Sequence, residues 1–285
     1  MTQNDPFSTS FIRSLLRLTR IWNLIIIGLA QYFSAFFLVG RHTLNDIQLM
    51  LLSFSTIMIA AAGYIINDYY DIKIDFINKP ERVVIGKSIP RRYAILLHVV
   101  LSSMGILIGL YLSLLLGAIN AFCVFLLWLY SNNLKRLPLI GNFSVALLTG
   151  LSVLVIDVLY PTHHNLIWIY AVFAFFMTLV REIIKDMEDL KGDNTFGCKT
   201  LPIVLGLRKT KYIIYIILAV FCITVVIINQ FYTRLPLYYF LIFLFAPLLL
   251  FLVWLIQADM KREFSWLSTF CKLILLSGIL SMAFI

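Results

Sequence analysis

Nine long runs of apolar residues constrain the fold of this chain more than any other feature. Each run is close to the roughly 20 apolar residues that a helix needs to cross the hydrocarbon core of a bilayer. In lipid only helices and closed barrels satisfy their own backbone hydrogen bonds, so runs of this length predict an all-α protein that crosses the membrane nine times. The predicted spans are about 21–40, 47–66, 93–114, 117–133, 142–160, 165–181, 211–230, 236–257 and 265–285.

The composition supports a polytopic membrane protein. The chain is 61% hydrophobic and only 13% charged, whereas soluble domains are about 45–50% apolar and about 25% charged. A net charge of +9 is also found in proteins that bind nucleic acids. Here, however, nearly all lysine and arginine residues lie in the links between apolar runs or at the ends of the runs, which is typical of cytoplasmic loops. We therefore expect the bilayer as a partner and no nucleic acid.

The distribution of basic residues predicts the orientation of the chain. Of the 23 lysine and arginine residues, only Arg41 and Arg234 fall on the far side of the runs and Lys272 falls inside the last run, so twenty lie on the N-terminal side. Cytoplasmic loops carry the excess of positive charge. The sequence predicts a multi-pass protein of the cell (inner) membrane with a cytoplasmic N-terminus.

An acidic motif follows the second apolar run. In NDYYDIKID, residues 67–75, the carboxylates of Asp68, Asp71 and Asp75 stand at i, i+3 and i+7, and Asn67 lies four residues before Asp71. These steps place all of them on one face of a helix. Like charges at this spacing destabilise a helix. The motif therefore predicts an external ligand, and a divalent cation is the ordinary one.

A second acidic motif repeats the spacing of the first. Asp186, Asp189 and Asp193 in KDMEDLKGD each lie 118 residues after their counterparts. Both motifs fall on the cytoplasmic side, because four predicted crossings separate them. We interpret the chain as one domain, 1–285, made of two repeated four-helix halves, about 1–140 and 141–260, with a ninth helix at about 265–285.

Two acidic motifs, with many lysine and arginine residues on the same side of the membrane, are suited to binding a diphosphate. Mg²⁺ is typically held by a few carboxylates together with phosphate oxygens. Two carboxylate clusters that face one another across a Mg²⁺-bound diphosphate would balance these charges. Arginine and lysine would bind the remaining phosphate oxygens. The candidates beside the motifs are Lys79, Arg82, Lys135, Arg136, Arg181 and Lys185.

The order of these motifs resembles the UbiA-type intramembrane prenyltransferases over nearly the whole chain. The resemblance rests on RIWN, NDxxDxxxD, NKPERVVIGKSI, YSNNLKR…GN and DMEDLKGD, although Ile21 and Val83 stand where many members have proline. It implies nine helices around a central cavity, with Mg²⁺ and an isoprenyl diphosphate at its cytoplasmic end. It also implies catalytic roles for Asp71, Asp75, Asp189 and Asp193, metal binding by these four with Asn67, Asp68 and Asp186, and diphosphate binding that includes Asn23.

The resemblance leaves the acceptor open. The stretch 181–202 is most similar to the digeranylgeranylglyceryl phosphate synthases, whose donor is geranylgeranyl diphosphate and whose acceptor is geranylgeranylglyceryl phosphate. Members with aromatic acceptors, such as 4-hydroxybenzoate or dihydroxynaphthoate, share the general pattern. A cation transporter is disfavoured because the acids cluster at one end of the spans. A CDP-alcohol phosphotransferase is disfavoured because neither motif contains its DG and AR pairs.

Two polar features on the far side remain outside this interpretation. Asp157 lies near the outer end of the fifth run, where we expect an acid at the membrane interface. His163 and His164 are adjacent, and without another ligand nearby in the sequence they are typical of a polar turn rather than a metal site.

Overall fold

The computed structural model describes residues 9–78, 80–161, 166–233 and 235–285. Within these ranges nine helices are long and apolar enough to cross a membrane, as predicted. The chain is therefore an integral membrane protein. The spans are Ile21–Val39, Ile47–Asn78, Arg91–Leu112, Leu114–Asn132, Ile140–Leu159, Leu166–Glu188, Leu207–Phe231, Tyr238–Gln257 and Lys261–Phe284.

The α-helices are labelled in chain order. They are α1 (Thr9–Leu18), α2 (Ile21–Phe33), α3 (Ile47–Asn78), α4 (Arg91–Leu112), α5 (Leu114–Asn132), α6 (Ile140–Leu159), α7 (Leu166–Glu188), α8 (Leu190–Thr195), α9 (Leu201–Leu205), α10 (Leu207–Ile228), α11 (Leu237–Phe240), α12 (Ala246–Gln257) and α13 (Lys261–Ser281). Segments of π-helix occupy Ser34–Val39, Asn229–Thr233 and Leu241–Phe245. Short 3₁₀ turns occupy Arg41–Asn45, Pro80–Arg82, Leu134–Arg136 and Met282–Phe284.

The chain folds as two compact units. The first comprises Met1–Gly28 and Met50–Asn133, and the second comprises Leu29–Leu49 and Leu134–Ile285. The structural repeat of two halves divided near residue 140 stays a prediction.

The core of the first unit covers the end of α3 that carries the first acidic motif. Ile65 and Ile72 of α3 are buried against Leu18 of α1 and Ile85 of the loop after the motif. Phe11 and Leu15 of α1 pack on the same core, so one face of this amphipathic helix is apolar. α1 was not predicted, because its residues precede the first apolar run.

Helices α4 and α5 form the tight antiparallel pair that the short link between them predicts. Only Ser113 separates them, and its hydroxyl accepts a hydrogen bond from Leu116 N at 3.1 Å. The Asn120 amide of α5 donates to Ser55 Oγ of α3 at 2.7 Å and to Gly105 O of α4 at 2.9 Å. A buried amide that bonds to two other helices fixes all three within the unit.

The second unit is built around α7. Met177, Val180, Ile183 and Ile184 of this helix are buried in a core shared with residues of α6, α10, α12 and α13. Buried side chains therefore surround the C-terminal part of α7, where the second acidic motif begins.

Candidate active site

The first acidic motif lies on one uninterrupted helix, as predicted. α3 runs through the motif to Asn78, so Asn67, Asp71 and Asp75 follow one another at successive turns on one face. Ile72 and Ile74, between them in sequence, are buried on other faces. The motif therefore keeps its acids together because the apolar residues around it anchor the helix.

The donor atoms of this motif fit Mg²⁺. Asn67 Oδ1 is buried and has no hydrogen-bond partner among the described residues, while Asp71 and Asp75 are half-buried. Amide and carboxylate oxygens are the ligands that Mg²⁺ accepts. No three His, Cys, Asp or Glu side chains gather into a metal-binding group within the described chain. In proteins Mg²⁺ usually keeps phosphate oxygens or water among its ligands.

Asp68 makes an ion pair that the sequence did not reveal. Arg20 Nη2 donates to Asp68 Oδ1 at 2.8 Å, and the guanidinium lies 4.9 Å from the centroid of the Tyr64 ring. Arg20 has a φ of +52°, a left-handed conformation that costs a non-glycine residue about 1 kcal/mol or more. The RIWN element that carries the family resemblance begins with Arg20, which was the available signal. The role of Asp68 as a metal ligand stays a prediction.

The predicted basic residues after the first motif lie mostly outside the described part. Lys79 is not among the described residues, and neither is the side chain of Arg82. The turn Pro80–Arg82 accepts two hydrogen bonds, since Arg17 Nη1 donates to Glu81 O at 3.3 Å and Lys87 Nζ donates to Pro80 O at 3.0 Å. The roles of Lys79 and Arg82 in diphosphate binding stay predictions.

The second acidic motif differs from the first, because the helix is broken within it. α7 ends at Glu188, Asp189 has φ −93° and ψ 7°, and α8 begins at Leu190. The expectation of one continuous acidic helix is wrong here. Gly192, a poor helix former, lies just after the break. Asp186 thus lies on α7, Asp189 at the junction and Asp193 on α8, and all three are half-buried.

An asparagine of α6 holds the first acid of this motif. Asn142 Nδ2 donates to Asp186 Oδ2 at 2.8 Å, and Asn142 is only 6% exposed. The bond occupies one lone pair of Asp186 and restricts its rotation. In the sequence, Asn142 is marked only by the GN pair of the family resemblance, which does not indicate its bond to Asp186.

The Lys135–Arg136 turn lies next to the second motif. A Cβ atom on Gly141 would be 2.8 Å from Lys135 Cα, so only glycine allows α6 to approach this turn so closely. Lys199 N donates to Arg136 O at 2.8 Å, and the preceding residue, Cys198, donates from its N to Asp193 O at 3.0 Å. The predicted cation Arg136 and the predicted metal ligand Asp193 are thereby linked through two consecutive residues within the second unit.

Two further predicted cations lie on α7. Arg181 Nη1 contacts Glu182 Oε1, and Lys185 Nζ is 3.8 Å from Glu182 Oε2. Arg181 Nε is buried and has no hydrogen-bond partner among the described residues. Asn23, in the first turn of α2, is half-buried, and its diphosphate role stays a prediction.

Of the polar residues on the far side, Asp157, His163 and His164, the structure describes only Asp157. Asp157 is half-buried in the last turn of α6, and His163 and His164 lie outside the described residues. Beyond α6, Tyr160 donates its hydroxyl to Asp46 Oδ2 at 2.5 Å, which stabilises the turn between α2 and α3.

Known proteins share both the sequence and the fold of this chain. The model of the UbiA prenyltransferase family matches residues 28–274. A digeranylgeranylglyceryl phosphate synthase of Sulfurisphaera tokodaii is 34% identical over 262 residues, which cover 88% of this chain and 90% of the relative. A solved structure of a digeranylgeranylglyceryl phosphate synthase in membranes is 26% identical, with a TM-score of 0.72 over 96% of this chain and 99% of that one.

A more distant structure shares the fold. A UbiA homolog from Archaeoglobus fulgidus bound to GPP and Mg²⁺ is 15% identical, with a TM-score of 0.71 over 95% of this chain and 99% of that one. The match to the family model spans most of the chain, and the relative from Sulfurisphaera tokodaii is covered almost throughout. The chain therefore belongs to the UbiA prenyltransferase family and is a membrane prenyltransferase.

Proposed function

We propose that this enzyme transfers the geranylgeranyl group of geranylgeranyl diphosphate to geranylgeranylglyceryl phosphate, with Mg²⁺ as cofactor and release of diphosphate. The observation that carries the proposal is the joining of acidic and basic elements in the second unit, where consecutive residues bond to Asp193 and Arg136. An acid for a metal ion beside a cation for phosphate is what a metal diphosphate needs. The acceptor is proposed from the synthase of Sulfurisphaera tokodaii, which is 34% identical.

The two acidic motifs supply the metal ligands in this proposal. Asp71 and Asp75 with Asn67 act in the first motif, and Asp189 and Asp193 act in the second. Mg²⁺, when bound, supplies a Lewis acid that neutralises the charge developing on the departing diphosphate. Asn142 keeps Asp186 in one orientation, so this carboxylate presents its other oxygen without a search among rotamers.

The cations bind the phosphate oxygens and stabilise the leaving group. As the bond between C1 of the prenyl chain and the diphosphate oxygen breaks, both electrons stay with that oxygen. Lys135 and Arg136 on their fixed turn, and Arg181 with its buried Nε, are donors that need no reorganisation when this charge appears. This preorganisation is the main contribution of the chain's own residues to the rate.

The acceptor then forms a new bond to the same carbon. A hydroxyl oxygen of geranylgeranylglyceryl phosphate attacks C1, and its proton leaves to solvent or to the released diphosphate. The acceptor brings its own phosphate, and the exposed Lys199 beside Arg136 supplies positive charge for it. We propose that this chemistry and the N-terminus lie on the cytoplasmic side of the cell membrane, because lysine and arginine are concentrated on that side.

The acceptor is tested by giving purified enzyme labelled geranylgeranyl diphosphate and a panel of acceptors. The panel contains geranylgeranylglyceryl phosphate, 4-hydroxybenzoate and dihydroxynaphthoate, and products are identified by mass spectrometry. We expect a phosphorylated product with two geranylgeranyl chains. A prenylated aromatic acid as the main product would replace the proposed acceptor by a quinone precursor. Divalent cation flux without donor consumption would point to a transporter instead.

A further inference from the structure

The first helix of the chain, α1, has more apolar surface than the core of its unit uses. Phe11 and Leu15 pack on that core. Ile12 and Leu16 are also apolar, but they are 49% and 44% exposed. Because a helix has 3.6 residues per turn, Ile12 and Leu16 form a stripe about 100° round the helix from Phe11 and Leu15. α1 therefore has two apolar stripes, and one of them packs on the core.

Two arginines form a third stripe on the same helix. Arg13 and Arg17 are both exposed, and they lie about 100° further round the helix than Ile12 and Leu16. They stand one turn apart, and like charges at this spacing destabilise a helix. Arg17 Nη1 donates to Glu81 O at 3.3 Å, which uses one of the five N–H donors of a guanidinium. An anion outside the helix would therefore stabilise this pair.

The place of α1 in the chain brings these stripes to the surface of the membrane. Only Thr19 and Arg20 separate the end of α1 at Leu18 from the first membrane-spanning helix, which begins at Ile21. Trp22, in the first turn of that span, is 76% exposed. Tryptophan is enriched at the boundary between lipid and water. The C-terminal end of α1 therefore lies where lipid headgroups are within reach of its side chains.

The chemistry of the two exposed stripes matches an anionic lipid surface. In an interfacial helix, apolar side chains enter the boundary between headgroups and acyl chains, while basic side chains on another face contact the headgroups. Arginine suits phosphate oxygens because its donors form a planar fork. A soluble anion would satisfy Arg13 and Arg17 but would leave Ile12 and Leu16 in water, where apolar surface is unfavourable. A layer of anionic lipid satisfies both stripes.

We propose that α1 is an interfacial helix that binds anionic phospholipid headgroups through Arg13 and Arg17, with Ile12 and Leu16 at the acyl boundary. The proposal concerns a surface of the first unit and does not depend on the acceptor of the prenyl group.

The inner face of α1 connects this lipid contact to the first acidic motif. Leu18 of α1 is buried in one core with Ile65 and Ile72 of α3, and Ile72 lies within the motif. Arg17 also bonds to Glu81 in the turn that follows the motif. Lipid that binds to α1 thereby also stabilises the end of α3 that carries the predicted metal ligands.

The test is hydrogen–deuterium exchange of the full chain in nanodiscs, measured by mass spectrometry on peptides from α1, since amide exchange reports local unfolding. One set of nanodiscs contains phosphatidylcholine alone, and the other contains about one third phosphatidylglycerol, an anionic lipid. Each arginine near an anionic surface strengthens binding about fivefold, so α1 amides should exchange about tenfold more slowly with phosphatidylglycerol than without it. Salt at about 1 M should remove most of this difference by screening.

Matched variants assign the effect to α1. Arg13→Gln combined with Arg17→Gln should abolish the dependence of α1 exchange on phosphatidylglycerol, because glutamine keeps the helix propensity and removes the charge. Lysine at both positions keeps the charge and should keep the dependence. Arg91→Gln with Arg92→Gln removes two exposed charges from the start of α4 in the same unit and should leave α1 exchange unchanged. Leu16→Gln should speed α1 exchange about fivefold in both lipid compositions.

Three results would overturn the proposal. Equal exchange of α1 in both lipid compositions would mean that headgroup charge does not contribute. A lipid dependence that survives Arg13→Gln with Arg17→Gln would assign it to other cations. Wild-type exchange in Leu16→Gln would mean that the second apolar stripe faces water. If the double glutamine variant does not fold, the lysine variant and the salt dependence of the wild type decide the same question.

Discussion

Gly141→Ala should damage activity far more than stability. The added Cβ would lie 2.8 Å from Lys135 Cα and 2.9 Å from Leu134 O. Carbon atoms in contact are about 3.5–4.0 Å apart, so the turn must move by roughly 1 Å relative to α6. Both neighbours are backbone atoms, and a side-chain rotation cannot relieve the clash.

Two opposing effects on the free energy of unfolding make this variant informative. Crowding the turn costs about 1–3 kcal/mol, while replacing glycine by alanine in a helix returns about 1 kcal/mol. The net loss is about 0–2 kcal/mol. A displacement of about 1 Å in a group that binds the reacting part of a substrate can reduce the rate about 100-fold. We therefore expect kcat/KM to fall roughly 10- to 100-fold with a small change in melting temperature.

The assay is prenyl transfer by purified enzyme, with thermal unfolding measured on the same sample. Gly28→Ala is the matched control, because its Cβ would meet only Ile57 Cδ1 at an ordinary 3.4 Å. It should keep wild-type activity. If Gly141→Ala also keeps wild-type kcat/KM, the close approach does not position Lys135. The same conclusion would follow if Gly141→Ala reduced the activity of a Lys135→Gln enzyme as strongly as that of the wild type.

Three other perturbations test separate parts of the molecule. Asp71→Ala and Asp189→Ala should each reduce turnover by at least about 1,000-fold without unfolding the protein, measured by product formation and circular dichroism; activity in either variant above a tenth of the wild type contradicts a metal role for that residue. Excess chelator should stop turnover, and added Mg²⁺ should restore it. Tyr160→Phe removes the hydroxyl that lowers the pKa of Asp46. A carboxylate whose pKa is lowered in the folded state stabilises the fold at pH values above the ordinary pKa of aspartate. The variant should therefore melt about 2 °C lower at pH 7, and the difference in melting temperature should vanish as the pH falls through the lowered pKa. A difference that is the same at pH 7 and pH 3 would contradict this origin.

The membrane helices could be predicted because lipid leaves a chain few alternatives. A run of about 20 apolar residues must satisfy its backbone internally, and the structure has nine such helices within the described residues. The bounds were less predictable where polar residues follow. The second run was predicted to end near residue 66, but α3 continues to Asn78. Hydrophobicity indicates which residues lie in the bilayer, whereas the helical hydrogen bonds of α3 continue beyond the last apolar residues of the run.

The acidic residues could be found from spacing, but their partners could not. Asn142 and Asp186 are 44 residues apart, and their hydrogen bond depends on how α6 packs on α7. Arg20 and Asp68 are 48 residues apart, and their ion pair depends on the left-handed conformation of Arg20. Neither dependence appears as a period or a charge pattern. Tertiary packing determines these partners. In the sequence, only Gly141 and Asn142 at the start of α6 indicate that this helix packs closely against its neighbours.

The break at Asp189 explains how the second motif can combine acids with bases. On one unbroken helix, Asp193 would belong to α7. The short segment that connects it to the Lys135–Arg136 turn would then not exist. Since α8 is separate, Asp193 belongs to a short segment, and the chain after this segment contacts both elements. Cys198 N donates to Asp193 O, and Lys199 N donates to Arg136 O. We therefore expect a displacement of this segment to move the predicted metal ligand Asp193 and the predicted phosphate-binding turn together. The separate segment α8 thus couples two elements that an unbroken acidic helix would have kept apart.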